Sequence, residues 1–311
     1  MLLALNGGSA QPNPIYAVRM ARRRNAPVIA VSAVLALTAC GGGGNSEAPV
    51  TGPPQVFDPG PVHVHGLGVN PRDGALFIAT HTGLFRAAPG QPKARRVAGR
   101  SQDTMGFTVV GPDRFLGSGH PDLREDLPPF LGLIRSQDAG KTWEPVSLLG
   151  RADFHVLEAH GKVVYGYGSE YRTQRRLFLV SSNGGRRWKQ LRPPAPLVSL
   201  AIDARDPDAL MAAGTRELFL SRDGARSWSA LPGATGMLAW PAPDRLYRAR
   251  ADGTIDVSSD TGRTWARVGH VGGQPAAFEA VGAQDLYLAL HDGTVKHSTD
   301  GGRTWTVRSR P

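Results

Sequence analysis

Several residue types and patterns are scarce in this sequence, and each scarcity excludes a class of protein. The 311 residues contain one cysteine, which excludes an intramolecular disulfide and any zinc or iron–sulfur site built from several cysteines. Charged residues make up 20 % of the chain and hydrophobic residues 41 %, so the composition is not that of a disordered protein. The apolar run at residues 26–39 has 14 residues, whereas a membrane-spanning helix needs roughly 17–25.

The N-terminal 40 residues have the pattern of an export signal. They contain four arginines and no acidic residue, and the arginines precede the apolar run, as in secretory signal peptides. Residues 37–40 (LTAC) resemble the bacterial lipobox, whose cysteine becomes the lipidated first residue. The alternative is an ordinary signal peptide with an incidental cysteine. We expect a signal at residues 1–40, with 1–19 open to being a misassigned start, and lipid anchoring of Cys40 at the extracytoplasmic side of a bacterial membrane.

The net charge of +10 partly reflects this signal. Without residues 1–40 the charge is +6, and the remaining basic residues are scattered rather than gathered in a run. We therefore expect no nucleic-acid partner. Residues 41–54 (GGGGNSEAPVTGPP) have the composition of a flexible tether. The remaining domain, residues 55–311, is expected to be monomeric.

An eight-residue motif occurs five times between residues 136 and 305. Its copies lie at residues 136–143, 181–188, 221–228, 258–265 and 298–305. The intervals between their tryptophans are 45, 40, 37 and 40 residues. A repeat of this period indicates a propeller or a solenoid.

Each repeat has the pattern of four short strands. Around the third copy, apolar runs at 197–202, 209–213 and 217–220 are separated by turn residues, and a closing strand follows Trp228. Such runs predict antiparallel strands, and four strands in about 40 residues match a propeller blade. A sixth unit without the motif precedes them. We predict an all-β fold, a six-bladed β-propeller of four-stranded antiparallel blades.

The motif S-x-D-x-G-x-T-W resembles the Asp-box, or bacterial neuraminidase repeat, of sialidases, some endoglucanases, sortilin-like receptors and photosystem II assembly factors. Copies one, four and five match in full, whereas Asn183, Arg187 and Ala225 replace Asp, Thr and Gly in copies two and three. Residues 62–86 also resemble the first blade of exported bacterial propellers described as sialidase-like or glycosyl-hydrolase-like. The resemblance implies the fold and leaves the activity open.

We interpret the motif as a structural turn. Its aspartate can accept backbone hydrogen bonds, its glycine allows a positive φ, and its tryptophan can pack against the neighbouring blade. Calcium binding is disfavoured, because calcium takes six to eight oxygens and each copy has one carboxylate at most. The defining residues are Asp138, Trp143, Asn183, Trp188, Asp223, Trp228, Asp260, Trp265, Asp300 and Trp305.

Functional side chains are expected at the end of the propeller opposite the motif, where the blades are linked. Six of the nine histidines align there, and so do two insertions, at residues 119–130 and 169–176. Such loops on a rigid scaffold commonly carry function. The predicted binding face comprises His65, His81, His120, His155, His291, Arg124 and Arg172.

Three functions remain open for this face. The first is a binding or scaffold module for a protein or glycan, with no cofactor. The second is a sialidase-like glycoside hydrolase, which needs two carboxyl groups or a Tyr–Glu nucleophile with an Asp acid; its arginine triad is not recognisable here. The third is a transition-metal site. The alternative for the same histidines is that they are ordinary polar residues that line the channel and form hydrogen bonds. The catalytic candidates are Glu170, Tyr171, Asp122 and Glu125, and the metal candidates are His63, His65 and His81.

Overall fold

The structure is a computed structural model and describes residues 60–311. The predicted export signal, the tether and Cys40 lie outside the described residues, so lipid anchoring stays a prediction. Within residues 60–311, no helix has the length and apolar character needed to cross a membrane.

In the described part of the chain, twenty-four strands form six antiparallel sheets, and each sheet is built from four consecutive strands. The strands of blades 1 and 2 are β1 Val64–Val69, β2 Leu76–Thr80, β3 Gly83–Ala87, β4 Arg95–Arg96, β5 Asp103–Gly111, β6 Arg114–His120, β7 Leu133–Ser136 and β8 Glu144–Ser147. The strands of blades 3 and 4 are β9 Ala152–His160, β10 Val163–Glu170, β11 Arg176–Ser181, β12 Lys189–Gln190, β13 Leu197–Asp203, β14 Asp206–Gly214, β15 Leu218–Ser221 and β16 Ser229–Leu231. The strands of blades 5 and 6 are β17 Met237–Ala242, β18 Arg245–Ala249, β19 Thr254–Ser258, β20 Ala266–His270, β21 Pro275–Ala280, β22 Leu286–Leu290, β23 Val295–Ser298 and β24 Thr306–Ser309.

The first strand of each blade contacts the first strands of both neighbouring blades. These contacts run from β1 through β5, β9, β13 and β17 to β21, and β21 contacts β1. The inner strands therefore surround a central channel. The predicted all-β, six-bladed propeller is confirmed.

The hydrophobic core is divided into layers between adjacent blades. Each of the six buried clusters combines residues of two neighbouring blades. Between blades 1 and 2, the Phe115 ring packs edge-to-face on Phe77 at 4.7 Å and on Phe107 at 5.4 Å between centroids. The second strands are covered on both faces, so β2 is buried along its whole length and shows no polar alternation.

The repeated motif folds into the same turn in each copy, as the fourth copy illustrates. Ser258 Oγ donates to Asp260 Oδ1 over 2.8 Å and accepts from the Gly262 amide over 2.8 Å. Asp260 in turn accepts from the Thr264 amide over 2.9 Å and from its hydroxyl over 2.6 Å. These bonds, the one from the Thr264 hydroxyl foremost, lower the pKa of Asp260 to about 2. The aspartate side chain therefore acts as the centre of the turn.

The motif glycine faces the preceding blade at a left-handed backbone position. Gly302 has φ 86°, and a Cβ there would lie 2.9 Å from Ile255 Cγ2. In the third copy Ala225 occupies this position at φ 63°, and its methyl group packs in the layer between blades 3 and 4. The motif tryptophans contribute to five of the six layers. They are Trp143, Trp188, Trp228, Trp265 and Trp305.

The ring closes by contact between two complete blades. The Arg310 amide donates to the Pro92 carbonyl over 2.9 Å, and Arg310 forms a parallel bridge with Lys93. The Arg308 guanidinium donates to the carbonyls of Ala87 and Gln91 over 3.0 and 2.9 Å. Within residues 60–311, blades 1 and 6 are each one continuous segment, so these two blades exchange no strand.

The two ends of the propeller differ in the loops that they carry. The Ala139 amide in the first motif turn donates to the Asp113 carbonyl, in the turn between β5 and β6. The motif turns therefore lie at the same end as the loops between the first and second strands. Since strand direction alternates within each antiparallel sheet, the links between blades lie at the opposite end, as predicted.

Candidate functional site

Histidine and aspartate side chains of blades 1–3 collect at the end that carries the links between blades. We call this end the histidine mouth. The residues lie at the starts of the inner strands or at the ends of the second strands, and alternation of strand direction brings these positions together. The residues that form the histidine mouth are His63, His65, His81, Asp103, His120, Asp153 and His155.

A first cluster joins blades 1 and 2. His81 Nδ1 donates to Asp103 Oδ2 over 3.0 Å, and the His65 and His81 rings meet edge-to-face with centroids 4.2 Å apart. One ligand atom from each of these three residues lies within 4.8 Å of the others. His65 Nε2 and Asp103 Oδ1 are buried and have no hydrogen-bond partner. Such groups cost about 1–3 kcal/mol each, so the cluster is short of a polar or charged partner.

Burial acts in opposite directions on the two buried members of this cluster, since it favours the metal-binding form of His65 and disfavours the charged form of Asp103. Burial lowers the pKa of His65 to about 4, and the neighbouring His81, His155 and His63 add to the shift. His65 is therefore a neutral imidazole at pH 7, the form that coordinates metals. Burial raises the pKa of Asp103, against the hydrogen bond from His81.

A second cluster lies between blades 2 and 3 around Asp153. His155 Nε2 donates to Asp153 Oδ2 over 2.8 Å, and His120 Nε2 lies 3.6 Å from the same oxygen. The Asp153 side chain is only 4 % exposed. The hydrogen bond to Asp153 raises the pKa of His155. One buried carboxylate is thus placed between two imidazoles.

Strand pairing sets the two clusters side by side. Asp103 in β5 and His120 in β6 are direct partners in the β5–β6 register, which places their Cα atoms about 4.5–5.5 Å apart. Gly119 precedes His120 at φ 141°, and a Cβ there would collide with the Asp103 carbonyl oxygen. The glycine therefore permits the close approach that holds the two clusters together.

The insertion of blade 2 folds over the link between blades 1 and 2. Asp122 accepts from the Ser101 amide over 2.8 Å and from Arg124 Nε over 2.9 Å. These bonds, that from Arg124 foremost, lower the pKa of Asp122. Glu125 forms an ion pair with Arg100. Both carboxylates are thus charged partners of arginines.

The insertion of blade 3 forms the neighbouring part of the rim. Glu170 accepts from the Thr173 hydroxyl, and the Tyr171 ring packs edge-to-face on Phe130 of the blade 2 insertion, with centroids 5.1 Å apart. Arg172 is exposed. His291 follows β22 in blade 6, which neighbours blade 1, and belongs to neither cluster.

Two carboxyl groups line the channel below the histidine mouth. Glu158 of β9 and Glu279 of β21 both border a cavity of about 110 Å³ that His65 and His155 also line. Burial in the channel raises the pKa of Glu279 to about 7. Burial also raises the pKa of Glu158, and the charge of Glu279 adds to that shift. The channel therefore favours the protonated form of both carboxyl groups.

Sequence reasoning placed most of the histidines at this end but assigned no role to Asp103, Asp153, Glu158 or Glu279. A usable signal was present: both His63–His65 and Asp153–His155 have polar residues two apart at the start of an inner strand. The spacing alone does not show which residues of different blades meet. That depends on the order of the blades around the ring.

Comparisons with known proteins identify the fold only. No protein-family model matches the chain, and no curated protein matches it. Among solved structures, the calcium-binding protein regucalcin from Agrobacterium tumefaciens is similar, with TM-score 0.58 and 14 % identity over 81 % of this chain and 94 % of that one. YCF48 from Cyanidioschyzon merolae has TM-score 0.51 and 16 % identity over 81 % and 87 %. A YCF48 bound to a D1 peptide has TM-score 0.50 and 15 % identity over 80 % and 82 %.

Proposed function

We propose that this protein is an exported, lipid-anchored binding module whose ligand is a divalent transition-metal ion, held in the histidine mouth by His65, His81 and Asp103. The observation that carries the proposal is the convergence of three ligand atoms within 4.8 Å of one another. Two buried atoms of these residues, His65 Nε2 and Asp103 Oδ1, have no hydrogen-bond partner. A cation would satisfy both.

The donor set suits zinc and related ions. Zinc binds imidazole nitrogen and carboxylate oxygen at about 2.0–2.2 Å, so the ligand atoms of a tetrahedral site lie about 3.4 Å apart. In the observed cluster the ligand atoms lie within 4.8 Å of one another, so binding would draw them closer together. Two imidazoles and one carboxylate leave a fourth position open, as in sites that bind water or a further ligand.

The rim supports binding of a larger partner around the ion. The Leu123 side chain is fully exposed and Tyr171 is 43 % exposed, on the two insertions that flank the mouth. Exposed apolar side chains on rim loops suit contact with a protein or a glycan. The glycoside hydrolase alternative gains less support, because Asp122 and Glu125 are paired with arginines.

Metal binding is tested on the purified chain after removal of metals with EDTA. The protein is incubated with zinc, passed through a gel-filtration column and analysed for zinc per chain, and affinity is measured by calorimetry. We expect zinc to be retained, and His65→Ala or His81→Ala to weaken its binding at least tenfold. The matched control is His160→Ala, at the end of β9 and so at the end of the propeller opposite the histidine mouth. Absence of retained zinc, or equal loss in the control, would contradict the proposal.

Lipid anchoring is tested separately by cell fractionation. We expect the native chain in the membrane fraction of a bacterial host and the Cys40→Ser variant in the soluble exported fraction. Ser298→Ala, in a motif turn far from the N-terminus, is the control. Equal distribution of the native chain and the Cys40→Ser variant would contradict the anchor.

A further inference from the structure

Asp153 lacks a partner that a buried carboxylate requires. Its side chain is 4 % exposed, and its Oδ1 atom is buried without a hydrogen-bond partner. Its other oxygen, Oδ2, accepts from His155 and faces His120. A buried carboxylate is costly to hold unless its charge is compensated and its lone pairs are used. One of the two carboxylate oxygens of Asp153 therefore accepts no hydrogen bond.

The hydrogen bonding of His120 directs a lone pair towards Asp153. His120 Nδ1 lies 2.8 Å from the Pro129 carbonyl oxygen, which can only accept, so Nδ1 carries a proton. In the neutral ring, Nε2 is then an acceptor, and it lies 3.6 Å from Asp153 Oδ2. Two acceptors that face each other are satisfied by a donor or a cation between or beside them, such as a proton, a bridging water or a metal ion.

The contact with Pro129 is also the arrangement that orients metal-binding imidazoles. In metal sites, the ring nitrogen that does not bind the ion usually donates to a backbone carbonyl or a carboxylate, which fixes the tautomer. His120 has such a bond through Nδ1, and its Nε2 is directed at the carboxylate. The Phe130 ring packs against the His120 ring with centroids 5.4 Å apart and limits its rotation.

We infer that His120 and Asp153, assisted by His155, hold a second divalent transition-metal ion beside the first, so that the loaded mouth contains two ions. This inference rests on the proposed function, because it adds a position to the same mouth. The two positions are adjacent, since Asp103 of the first cluster is the strand partner of His120. Each position offers carboxylate and imidazole ligands, which suit ions such as zinc, cobalt or manganese.

The second position needs rearrangement of one side chain. His155 now donates to Asp153, and its side chain is 50 % exposed, so its ring is free to turn and offer a lone pair. Asp153 and His120 are more enclosed and remain in place. The alternative is a second proton on His120, at Nε2, which would pair with Asp153 without any second ion.

The number of metal ions bound per chain distinguishes a second ion from an added proton on His120. The full chain is stripped with EDTA, loaded with zinc or cobalt, freed of weakly held ions by gel filtration and measured by elemental analysis and native mass spectrometry. We expect two ions per native chain, one in His120→Ala and one in His65→Ala. Asp153→Asn tests the carboxylate, with circular dichroism to verify folding. His160→Ala, at the end of β9 and so at the opposite end of the propeller, is expected to keep two ions.

The outcomes separate this inference from the proposed function. One ion in the native chain that is retained by His120→Ala and lost in His65→Ala would overturn the second position and leave the first. One ion that is lost in both variants would mean a single shared site and also overturn it. No bound ion would overturn both proposals. In the cobalt-loaded native chain, magnetic coupling between two ions would support the adjacent pair, and its loss in His120→Ala is expected.

Discussion

The channel carboxyl of Glu279 is expected to make the stability of the propeller depend on pH. Burial in the channel raises the pKa of Glu279 from 4.5 to about 7. Between these values the folded state holds a proton that the unfolded state has released. Because the folded state then binds more protons, the free energy of unfolding falls as pH rises from about 4.5 to about 7 and is level above that.

The magnitude follows from the same shift. One pKa unit corresponds to about 1.36 kcal/mol, so Glu279 destabilises the folded state by at most about 3 kcal/mol above pH 7. Glu279→Gln removes this cost, and it also removes the charge that raises the pKa of Glu158. At about 2–4 °C per kcal/mol for a domain of this size, the variant should melt up to about 6–12 °C above the native chain at pH 8.

The assay is thermal unfolding followed by circular dichroism at pH 5 and pH 8, with EDTA present so that metal binding does not contribute. We expect the difference in Tm between Glu279→Gln and the native chain to be small at pH 5 and large at pH 8. Glu217→Gln, at an exposed carboxyl, is the control and should show no such growth. A difference that is unchanged or smaller at pH 8 would refute the assignment of a protonated carboxyl to the channel.

Two further predictions concern the packing of the blades. Arg248 and Asp256 form an ion pair with side chains only 2 % and 1 % exposed. Asp256→Ala should therefore destabilise the protein by about 3–5 kcal/mol, because it removes the carboxylate partner of a buried guanidinium. A loss below about 1 kcal/mol, measured by chemical denaturation, would contradict this. Gly302→Ala should destabilise it by about 1–3 kcal/mol, because φ is 86° and the new Cβ would lie 2.9 Å from Ile255 Cγ2. The control is Ala225→Gly, at the equivalent position of the third copy, which should change the free energy of unfolding by less than about 1 kcal/mol. Equal losses in Gly302→Ala and Ala225→Gly would show that contact with the neighbouring blade does not determine the loss of stability.

The fold was predictable because each blade repeats one local pattern. Short apolar runs, turn residues and a motif at nearly constant spacing identify four strands per unit, and these signals are local in sequence. The motif turn itself is also local: Ser258, Asp260 and Thr264 complete its hydrogen bonds within seven residues. A pattern of this kind needs no knowledge of distant contacts.

The candidate site was predictable only in outline. The meander places His65, His81 and His120 at one end, because strand direction alternates. It does not show that Asp103 lies opposite His120, or that Asp153 stands between His120 and His155. These relations depend on strand register and on a bulge between Thr104 and Gly106, and a shift of one residue would turn each side chain to the other face.

By itself, the sequence determined the number of blades, the strand order within each blade and the end of the propeller at which the histidines lie. Each of these follows from spacing along the chain. Only the tertiary structure decided which groups from different blades meet, which of their atoms are buried without partners, and how the ring closes through Arg308 and Arg310. The physical reason is that the channel and the histidine mouth are formed between blades. Their distances and the burial of their side chains arise from the packing of segments far apart in the chain.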